Sequence, residues 1–78
     1  MQPLTYAAVR ADIAEALYLE PAELTDTEDL FAAGLDSVRL MGLIERWKKR
    51  GATPVFVELA EQPTLAAWWP LLAPPSAR

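Results

Sequence analysis

Two stretches of the chain repeat apolar residues at the spacing of an α-helix, and this pattern constrains the fold more than any other feature. The first stretch runs from about residue 5 to residue 18, and the second from about residue 37 to residue 50. In each stretch the apolar residues recur three or four positions apart and share one helix face. They are Tyr6, Val9, Ile13, Ala16 and Leu17 in the first stretch, and Leu40, Leu43, Ile44 and Trp47 in the second. The sequence therefore predicts an all-α protein.

The ends of these two helices carry residues that are typical of helix caps. Thr5 is the predicted N-cap of the first helix, because its hydroxyl can accept an otherwise unpaired backbone N–H. Gly51 follows the second helix and is the predicted left-handed residue that ends it. The basic residues 48–50 lie in the last turn, where positive charge suits the negative end of the helix dipole. A nucleic-acid contact is the weaker interpretation of that basic run.

Two shorter helices are predicted in the second half of the chain. One lies between residues 54 and 61, and the last begins after Pro63 with Thr64 as its N-cap. Their apolar residues are Phe56, Val57, Leu59, Ala60, Leu65, Trp68, Trp69 and Leu72. Because Pro70 removes a helical hydrogen bond and clashes with the preceding turn, the last helix is predicted to kink or end near Trp69. The tryptophans are expected in the core, but adjacent residues cannot share one helix face, so Trp68 or Trp69 is expected to be partly exposed.

Residues 19–36 show no sustained period and are predicted to form a long connection between the first two helices. A connection of this length in a small domain usually packs against the core and has a function. Leu24, Leu30 and Phe31 are its predicted anchors, and residues 29–31 are predicted to form a short turn of helix.

Length and composition limit the chemistry that this chain can perform. Its 78 residues are enough for one domain with a modest core, and they leave no room for an enclosed substrate cleft. Cysteine and histidine are absent, which removes disulfides, thiolate nucleophiles and the common zinc and haem ligand sets. The side chain that most often serves as a base near neutral pH is also missing. We therefore expect neither a metal site nor catalytic residues.

The charge and hydropathy of the chain point away from nucleic acids and membranes. A net charge of −4 does not suit a protein that grips the phosphates of a nucleic acid. No apolar run is long enough to span a membrane, and the first residues lack the pattern of a signal peptide. We expect a monomeric, cytoplasmic protein, in which the proline-rich residues 74–78 form a tail or the start of a linker.

The segment 29–40 is the part of the chain that is most informative about function. It places Ser37 at the start of an amphipathic helix, behind a loop that Gly34 turns. The first turn of a helix exposes unpaired N–H groups and a partial positive charge, which favours a phosphate group there. The alternative interpretation is that Ser37 is only the N-cap of the helix.

Two observations on neighbouring residues weaken that alternative. Asp36 precedes Ser37 and can cap the helix equally well. Val38 and Met41 fall outside the apolar stripe of the helix by roughly 100–160°, on a helix of about 3.6 residues per turn. We therefore expect them to be partly exposed and to form an apolar docking surface beside Ser37.

Two motifs of the chain resemble those of the acyl and peptidyl carrier proteins. The first, which resembles the attachment motif of that family, is Leu30-Phe31 followed by Gly34-Leu35-Asp36-Ser37. The second, which is similar to the start of the family's last helix, is Gln62-Pro63-Thr64-Leu65. In that family the serine after Leu-Asp receives 4′-phosphopantetheine from coenzyme A, which implies Ser37 here. The resemblance covers nearly the whole chain and implies a right-handed bundle of three main helices plus one short helix, with residues 1–73 as the carrier domain.

A narrower resemblance is to the aryl carrier proteins of siderophore nonribosomal peptide synthetases, which carry salicylate, dihydroxybenzoate or related acids. The residues on which it rests are Gly34 through Met41, Arg46-Trp47, Phe56, and Thr64 through Trp68-Trp69. In that group, residues that match Met41, Phe56 and Ala60 contact a downstream condensation or cyclization domain. The resemblance implies further that Asp36 helps to present Ser37, and that Val38 and Arg39 influence the choice of partner. Pro70 departs from the pattern of the group.

The resemblance implies a carrier protein without catalysis of its own. Its partners would be a phosphopantetheinyl transferase, an aryl-acid adenylating enzyme, and a condensation or cyclization domain. No residue beside Ser37 in the sequence offers a base of suitable pKa to activate its hydroxyl, so the transferase must supply one. One alternative is a peptidyl or acyl carrier that loads an amino acid or an acyl chain. An alternative of another class is a helical interaction module that binds its partner unmodified, and a free-standing small enzyme is the least favoured.

Overall fold

The computed structural model describes residues 4–72, and this part of the chain is helical. It contains α1 (Tyr6–Ala16), α2 (Ser37–Lys48), α3 (Phe56–Glu61) and α4 (Leu65–Leu72). A 3-10 turn, Pro21–Glu23, lies in the connection between α1 and α2 and was not predicted. α1 packs against both α2 and α4, and α2 packs against α3. The predicted all-α bundle of three main helices and one short helix is confirmed, while the predicted tail at residues 74–78 lies outside the described residues.

α1 begins where the sequence predicts and ends earlier. The N–H of Ala8 donates to Oγ1 of Thr5 at 3.1 Å, which confirms Thr5 as the N-cap. The helix was predicted to reach residue 18, but it ends at Ala16. Tyr18 has a positive φ of 59°, which cannot continue a right-handed helix.

The end of α2 shows the predicted glycine cap. The helix ends at Lys48, two residues before the predicted residue 50. Gly51 has a φ of +93°, its N–H donates to the Lys48 carbonyl at 3.1 Å, and the Ala52 N–H donates to the Trp47 carbonyl at 3.1 Å. This pair of hydrogen bonds around a left-handed glycine is the Schellman motif, in which the glycine satisfies carbonyls that the helix leaves unpaired.

α4 begins as predicted, with the Ala67 N–H donating to Oγ1 of Thr64 at 3.1 Å. The predicted end of the helix near Trp69 is wrong, because the helix continues through Pro70 to Leu72. Pro70 lies on the exposed side of the helix, while Leu72 is buried in the core. The burial of Leu72 offsets the hydrogen bond that proline removes, which local sequence preferences could not show.

The core lies between the helices and is built around two tryptophans. Trp47 and Trp68 are fully buried, and their rings meet edge to face with centroids 6.1 Å apart. Both indole N–H groups are paired: Trp47 donates to the Asp12 carboxylate at 3.0 Å, and Trp68 donates to the Leu59 carbonyl at 2.8 Å. Trp69 is only partly buried, as was predicted for one of the two adjacent tryptophans.

The long connection between α1 and α2 is held to the rest of the domain by buried leucines and by hydrogen bonds. Leu24 and Leu30 are buried as predicted, and the third predicted anchor, Phe31, is partly buried and packs against the core. The Leu30 N–H donates to the Pro63 carbonyl at 2.8 Å, which joins the connection to the segment before α4. Residues 30–34 form hydrogen-bonded turns, in which the Asp29 carbonyl accepts the Ala33 N–H at 3.1 Å, as in a single turn of α-helix, and the Asp29 carboxylate accepts the Phe31 N–H at 3.0 Å.

None of the helices in the described range is long and apolar enough to cross a membrane.

Candidate functional site at the start of α2

Ser37 is the first residue of α2, and its side chain is exposed. The residue before it, Asp36, has an extended backbone, and its Oδ1 accepts the N–H of Arg39 at 2.8 Å. Asp36 is therefore the N-cap, and the interpretation of Ser37 as the cap is wrong. A phosphate ester at the Ser37 hydroxyl would face solvent and lie at the positive end of the helix dipole, so the geometry of this site accommodates one.

The loop before Ser37 is fixed in place by one glycine and two leucines. Gly34 has a φ of +121°, a conformation that residues with a Cβ rarely adopt. Leu35 is buried, and its N–H donates to the Leu30 carbonyl at 3.0 Å. Since Leu30 is itself buried and bonded to Pro63, the core sets the position from which the exposed Asp36 and Ser37 project.

An exposed apolar surface adjoins Ser37 along α2, as predicted. Val38 is 80% exposed and Met41 is 51% exposed. The two α3 residues that were expected to join this surface, Phe56 and Ala60, are only partly exposed, and Phe56 packs against the core.

The most exposed large apolar residues near α3 are Val55 and Val57, whose exposure was not predicted from the sequence. Val55 is the N-cap residue of α3, and Val57, on its first turn, is 61% exposed. Helical spacing indicates that Val57 is exposed, because Val57 lies two positions from the buried Leu59 and therefore on a different face of the helix.

Arg39 lies on the side of α2 that faces the end of α1. Its Nη1 donates to the Gly34 carbonyl at 3.0 Å, and its guanidinium carbon lies 5.3 Å from the centroid of the Tyr18 ring. Tyr18 was not singled out from the sequence, because only its backbone conformation and its exposure distinguish it from an ordinary helix-end residue.

The shifted pKa values of the domain belong to residues outside this site. The pKa of Tyr6 is raised, mainly by its hydrogen bond to the Asp26 carboxylate and to a smaller extent by burial. A hydrogen bond to Asp12 is the main cause that raises the pKa of Arg46, and Glu15 adds to it. Within residues 4–72, no three His, Cys, Asp or Glu side chains are grouped so as to hold a metal ion.

Comparison with known proteins places the chain among carriers. Residues 7–68 match the family model described as the phosphopantetheine attachment site. The chain is 49% identical over 71 residues to the acyl carrier protein ScoB of Streptomyces coeruleorubidus. It is 53% identical over 64 residues to an isochorismatase of Bacillus subtilis. It is 48% identical over 60 residues to the phenyloxazoline synthase MbtB of a Mycobacterium species.

These alignments cover most of this chain and very different shares of its relatives. They include 91% of this chain for the acyl carrier protein, 82% for the isochorismatase and 77% for the phenyloxazoline synthase. The chain spans 84% of the acyl carrier protein, but only 20% of the isochorismatase and 5% of the phenyloxazoline synthase. The comparison with solved structures returned no significant match. With an exposed serine at the capped start of α2 and a family match over most of its length, this chain belongs to the phosphopantetheine attachment site family and is a carrier domain.

Proposed function

We propose that this domain carries an aryl acid as a thioester on 4′-phosphopantetheine attached to Ser37, in nonribosomal synthesis of a siderophore. The observation that supports this most directly is that two neighbouring residues have different roles at the start of α2. Asp36 caps the helix, and the Ser37 side chain is left exposed at its first position. A serine that only capped the helix would have its oxygen engaged with a backbone N–H of the first turn.

The chain contributes a positioned hydroxyl and a recognition surface, and it performs no catalysis of its own. The attached group supplies a thiol that holds the acid as a thioester. In the attachment reaction the Ser37 oxygen forms a phosphodiester, the nucleotide half of coenzyme A leaves, and the hydroxyl proton passes to a base on the transferase. The transferase must supply that base, because a serine hydroxyl needs an adjacent base to react as a nucleophile and the chain contains no histidine.

The aryl assignment is supported by relatives and by local sequence. The name of the phenyloxazoline synthase specifies a product with a phenyl group. The residues from Gly34 to Met41 resemble the same region of aryl carrier proteins. The expected partners are a phosphopantetheinyl transferase, an aryl-acid adenylating enzyme, and a condensation or cyclization domain.

The surface around Ser37 supports a role in partner choice. Val38 and Met41 offer exposed apolar area, and Phe56 and Ala60 offer partly exposed area on α3. We assign these four residues and Arg39 to partner recognition, and Asp36 to presentation of Ser37 to the transferase. A small surface suits a domain that must leave each partner quickly, because interfaces of transient complexes are small. The domain boundary at residue 73, the monomeric state and the cytoplasmic location stay predictions.

Attachment is tested by incubating the purified domain with coenzyme A and a broad-specificity transferase, followed by mass spectrometry of the intact protein. Wild type is expected to gain one phosphopantetheine, and Ser37→Ala none. Ser76 is the other serine of the sequence, so Ser76→Ala is the matched control and is expected to be modified like wild type. A wild-type protein that gains no mass, or a Ser37→Ala variant that still does, would contradict the proposal and favour an unmodified interaction module.

The cargo is tested by loading the modified domain with different activating enzymes. An aryl-acid adenylating enzyme is expected to load it with higher kcat/KM than an amino-acid adenylating enzyme or an acyl-chain ligase. The second candidate is an acyl carrier, because the chain is 49% identical to a protein named as one over 84% of that protein's length. Better loading with an acyl chain would replace the aryl assignment with that candidate.

A further inference from the structure

Two locally unfavourable features meet on the α1 side of the helix that begins with Ser37. The first is Tyr18, which adopts a φ of +59°, a conformation that residues other than glycine and asparagine seldom adopt. Its side chain is nevertheless 83% exposed and makes little contact with the core. The second is Arg39, a cation in the first turn of α2, where the helix dipole disfavours positive charge. Such local costs, when they coincide, tend to mark functional sites.

Arg39 is held in place, but its charge is not neutralised. It donates one hydrogen bond to the Gly34 carbonyl at 3.0 Å and lies over the Tyr18 ring at 5.3 Å, and neither partner is a carboxylate. Over residues 4–72, no carboxylate lies within salt-bridge distance of Arg39, whereas Arg10 has one such partner and Arg46 has two. A guanidinium has five N–H donors, so Arg39 keeps several for a further acceptor.

The groove beside Arg39 contains carboxylates, but they are already paired. This open groove between α1 and α2 has a volume of about 220 Å³, and its lining includes Asp12, Glu15 and Arg46 as well as Arg39. Arg46 binds Asp12 at 3.0 Å and Glu15 at 3.3 Å. The groove therefore offers Arg39 no carboxylate that is not already paired, and its remaining N–H donors are available to water or to another molecule.

The position of Arg39 argues against a phosphate on Ser37 as a further acceptor. Residues two positions apart lie roughly 200° apart around a helix and do not face each other. Arg39 also reaches away from Ser37, toward Gly34 and Tyr18. A carboxylate on a protein surface suits this site, since a guanidinium binds a carboxylate with two parallel hydrogen bonds and an exposed tyrosine ring provides flat contact area beside it.

We propose that Tyr18 and Arg39 form a docking site for a carboxylate on the surface of the aryl-acid adenylating enzyme. This inference rests on the proposed function. The condensation partner is assigned to the other side of Ser37, at Met41, Phe56 and Ala60. The transferase acts on the Ser37 oxygen itself and must approach the start of α2 directly. The adenylating enzyme acts at the far end of the arm, so it can contact the domain on the α1 side.

The test is steady-state loading of the phosphopantetheine-bearing domain by that enzyme, with the concentration of the domain varied. Arg39→Gln is expected to raise the KM for the domain about fivefold, as loss of a partly exposed charge pair would, and to change kcat by less than about twofold. Arg39→Lys keeps the positive charge but loses the planar guanidinium that forms two parallel hydrogen bonds, and it is expected to give an intermediate KM. Added salt is expected to lower kcat/KM of wild type more steeply than that of Arg39→Gln.

Two further variants separate docking from folding and from net charge. Tyr18→Asn places a residue that tolerates positive φ at this position, so it is expected to match or exceed wild-type stability while raising the KM for loading. Lys49→Gln removes the same charge from the opposite end of α2 and is expected to load like wild type. The modification rate by the transferase is measured for every variant, and Lys49→Gln is expected to keep the wild-type value.

The outcomes distinguish this inference from the proposed function. If wild type is modified and loaded but Arg39→Gln and Tyr18→Asn have the wild-type KM, the docking site is wrong and the carrier function stands. A rise in KM for the transferase rather than the adenylating enzyme would likewise overturn the choice of partner. A wild-type domain that gains no phosphopantetheine would overturn both proposals.

Discussion

The carboxylate of Asp36 accepts the backbone N–H of Arg39 at 2.8 Å, so the residue before Ser37 caps the helix that Ser37 begins. Because the cap is a carboxylate, the first turn of α2 carries a negative charge that suits the helix dipole. Two functions of Asp36, capping and presentation of Ser37, can therefore be separated by substitution.

Asp36→Ala is expected to lower the free energy of unfolding by about 1 kcal/mol, whereas Asp36→Asn keeps a good cap and is expected to lower it by only a few tenths. Urea denaturation followed by tryptophan fluorescence measures both. Asp36→Asn is expected to be modified by the transferase more slowly than wild type, because it keeps the helix start and loses the charge. If Asp36→Asn is modified at the wild-type rate, Asp36 serves only as a cap.

Asp12 joins α1 to α2 through two donors, Trp47 Nε1 and Arg46 Nη1, each at 3.0 Å. Asp12→Ala leaves the indole N–H of a buried tryptophan without its partner, so it is expected to destabilise the domain by about 1–3 kcal/mol. Glu15→Ala removes an exposed carboxylate from the same arginine and is expected to cost less than about 0.5 kcal/mol. Equal losses for the two variants in urea denaturation would show that the Trp47 hydrogen bond contributes little.

The Tyr6 hydroxyl donates to the Asp26 carboxylate, and this hydrogen bond raises the pKa of Tyr6 above its ordinary value of 10.0. The folded state therefore favours the protonated phenol. The stability that this provides is fully present below about pH 10 and is lost as the pH rises through the higher pKa of the folded state. Denaturation midpoints measured across the alkaline range are expected to fall more steeply for wild type than for Tyr6→Phe. Parallel curves for the two proteins would refute the link between Tyr6 and alkaline stability.

Two glycines are expected to respond oppositely to alanine. Gly34 has a φ of +121°, and although a Cβ there would meet only the Leu17 side chain at 3.9 Å, the backbone itself is strained for alanine. Gly34→Ala is expected to cost about 1–3 kcal/mol. Gly42 lies inside α2 with open space around a Cβ, so Gly42→Ala is expected to stabilise the domain by about 0.5–1 kcal/mol. Thermal denaturation of the two variants shows whether the backbone conformation or the space around the Cβ determines the change in stability.

Features governed by neighbouring residues were predictable from the sequence. The stripe of Leu40, Leu43, Ile44 and Trp47 is buried as its spacing predicts. Thr5, Thr64 and Gly51 act at the helix ends where capping chemistry places them. The exposure of Val38 and Met41 follows from their angle to the stripe. Each of these depends on the geometry of a single helix.

Features that depend on contacts between distant segments were missed. The burial of Leu72 in the core stabilises α4 beyond Pro70. The local preferences of proline do not predict this continuation of the helix. The turn after α1 sets Tyr18 in a left-handed conformation beside Arg39, and these residues are 21 positions apart in the sequence. The Leu30 N–H reaches the Pro63 carbonyl across 33 positions, so the loop of one motif is held by the residues of the other.

The sequence by itself determined the helical class, the N-caps of α1 and α4, the glycine that ends α2, and a serine placed behind a loop at the start of an amphipathic helix, because helix spacing and capping act within a few residues. Only the tertiary structure decided that Asp36 rather than Ser37 caps α2, and that Tyr18 and Arg39 meet beside it. From the sequence alone, Asp36 and Ser37 are equally able to cap the helix. The packing of Leu30 and Leu35 sets the position of the backbone, and with it which of the two side chains lies over the helix end and which is exposed to solvent.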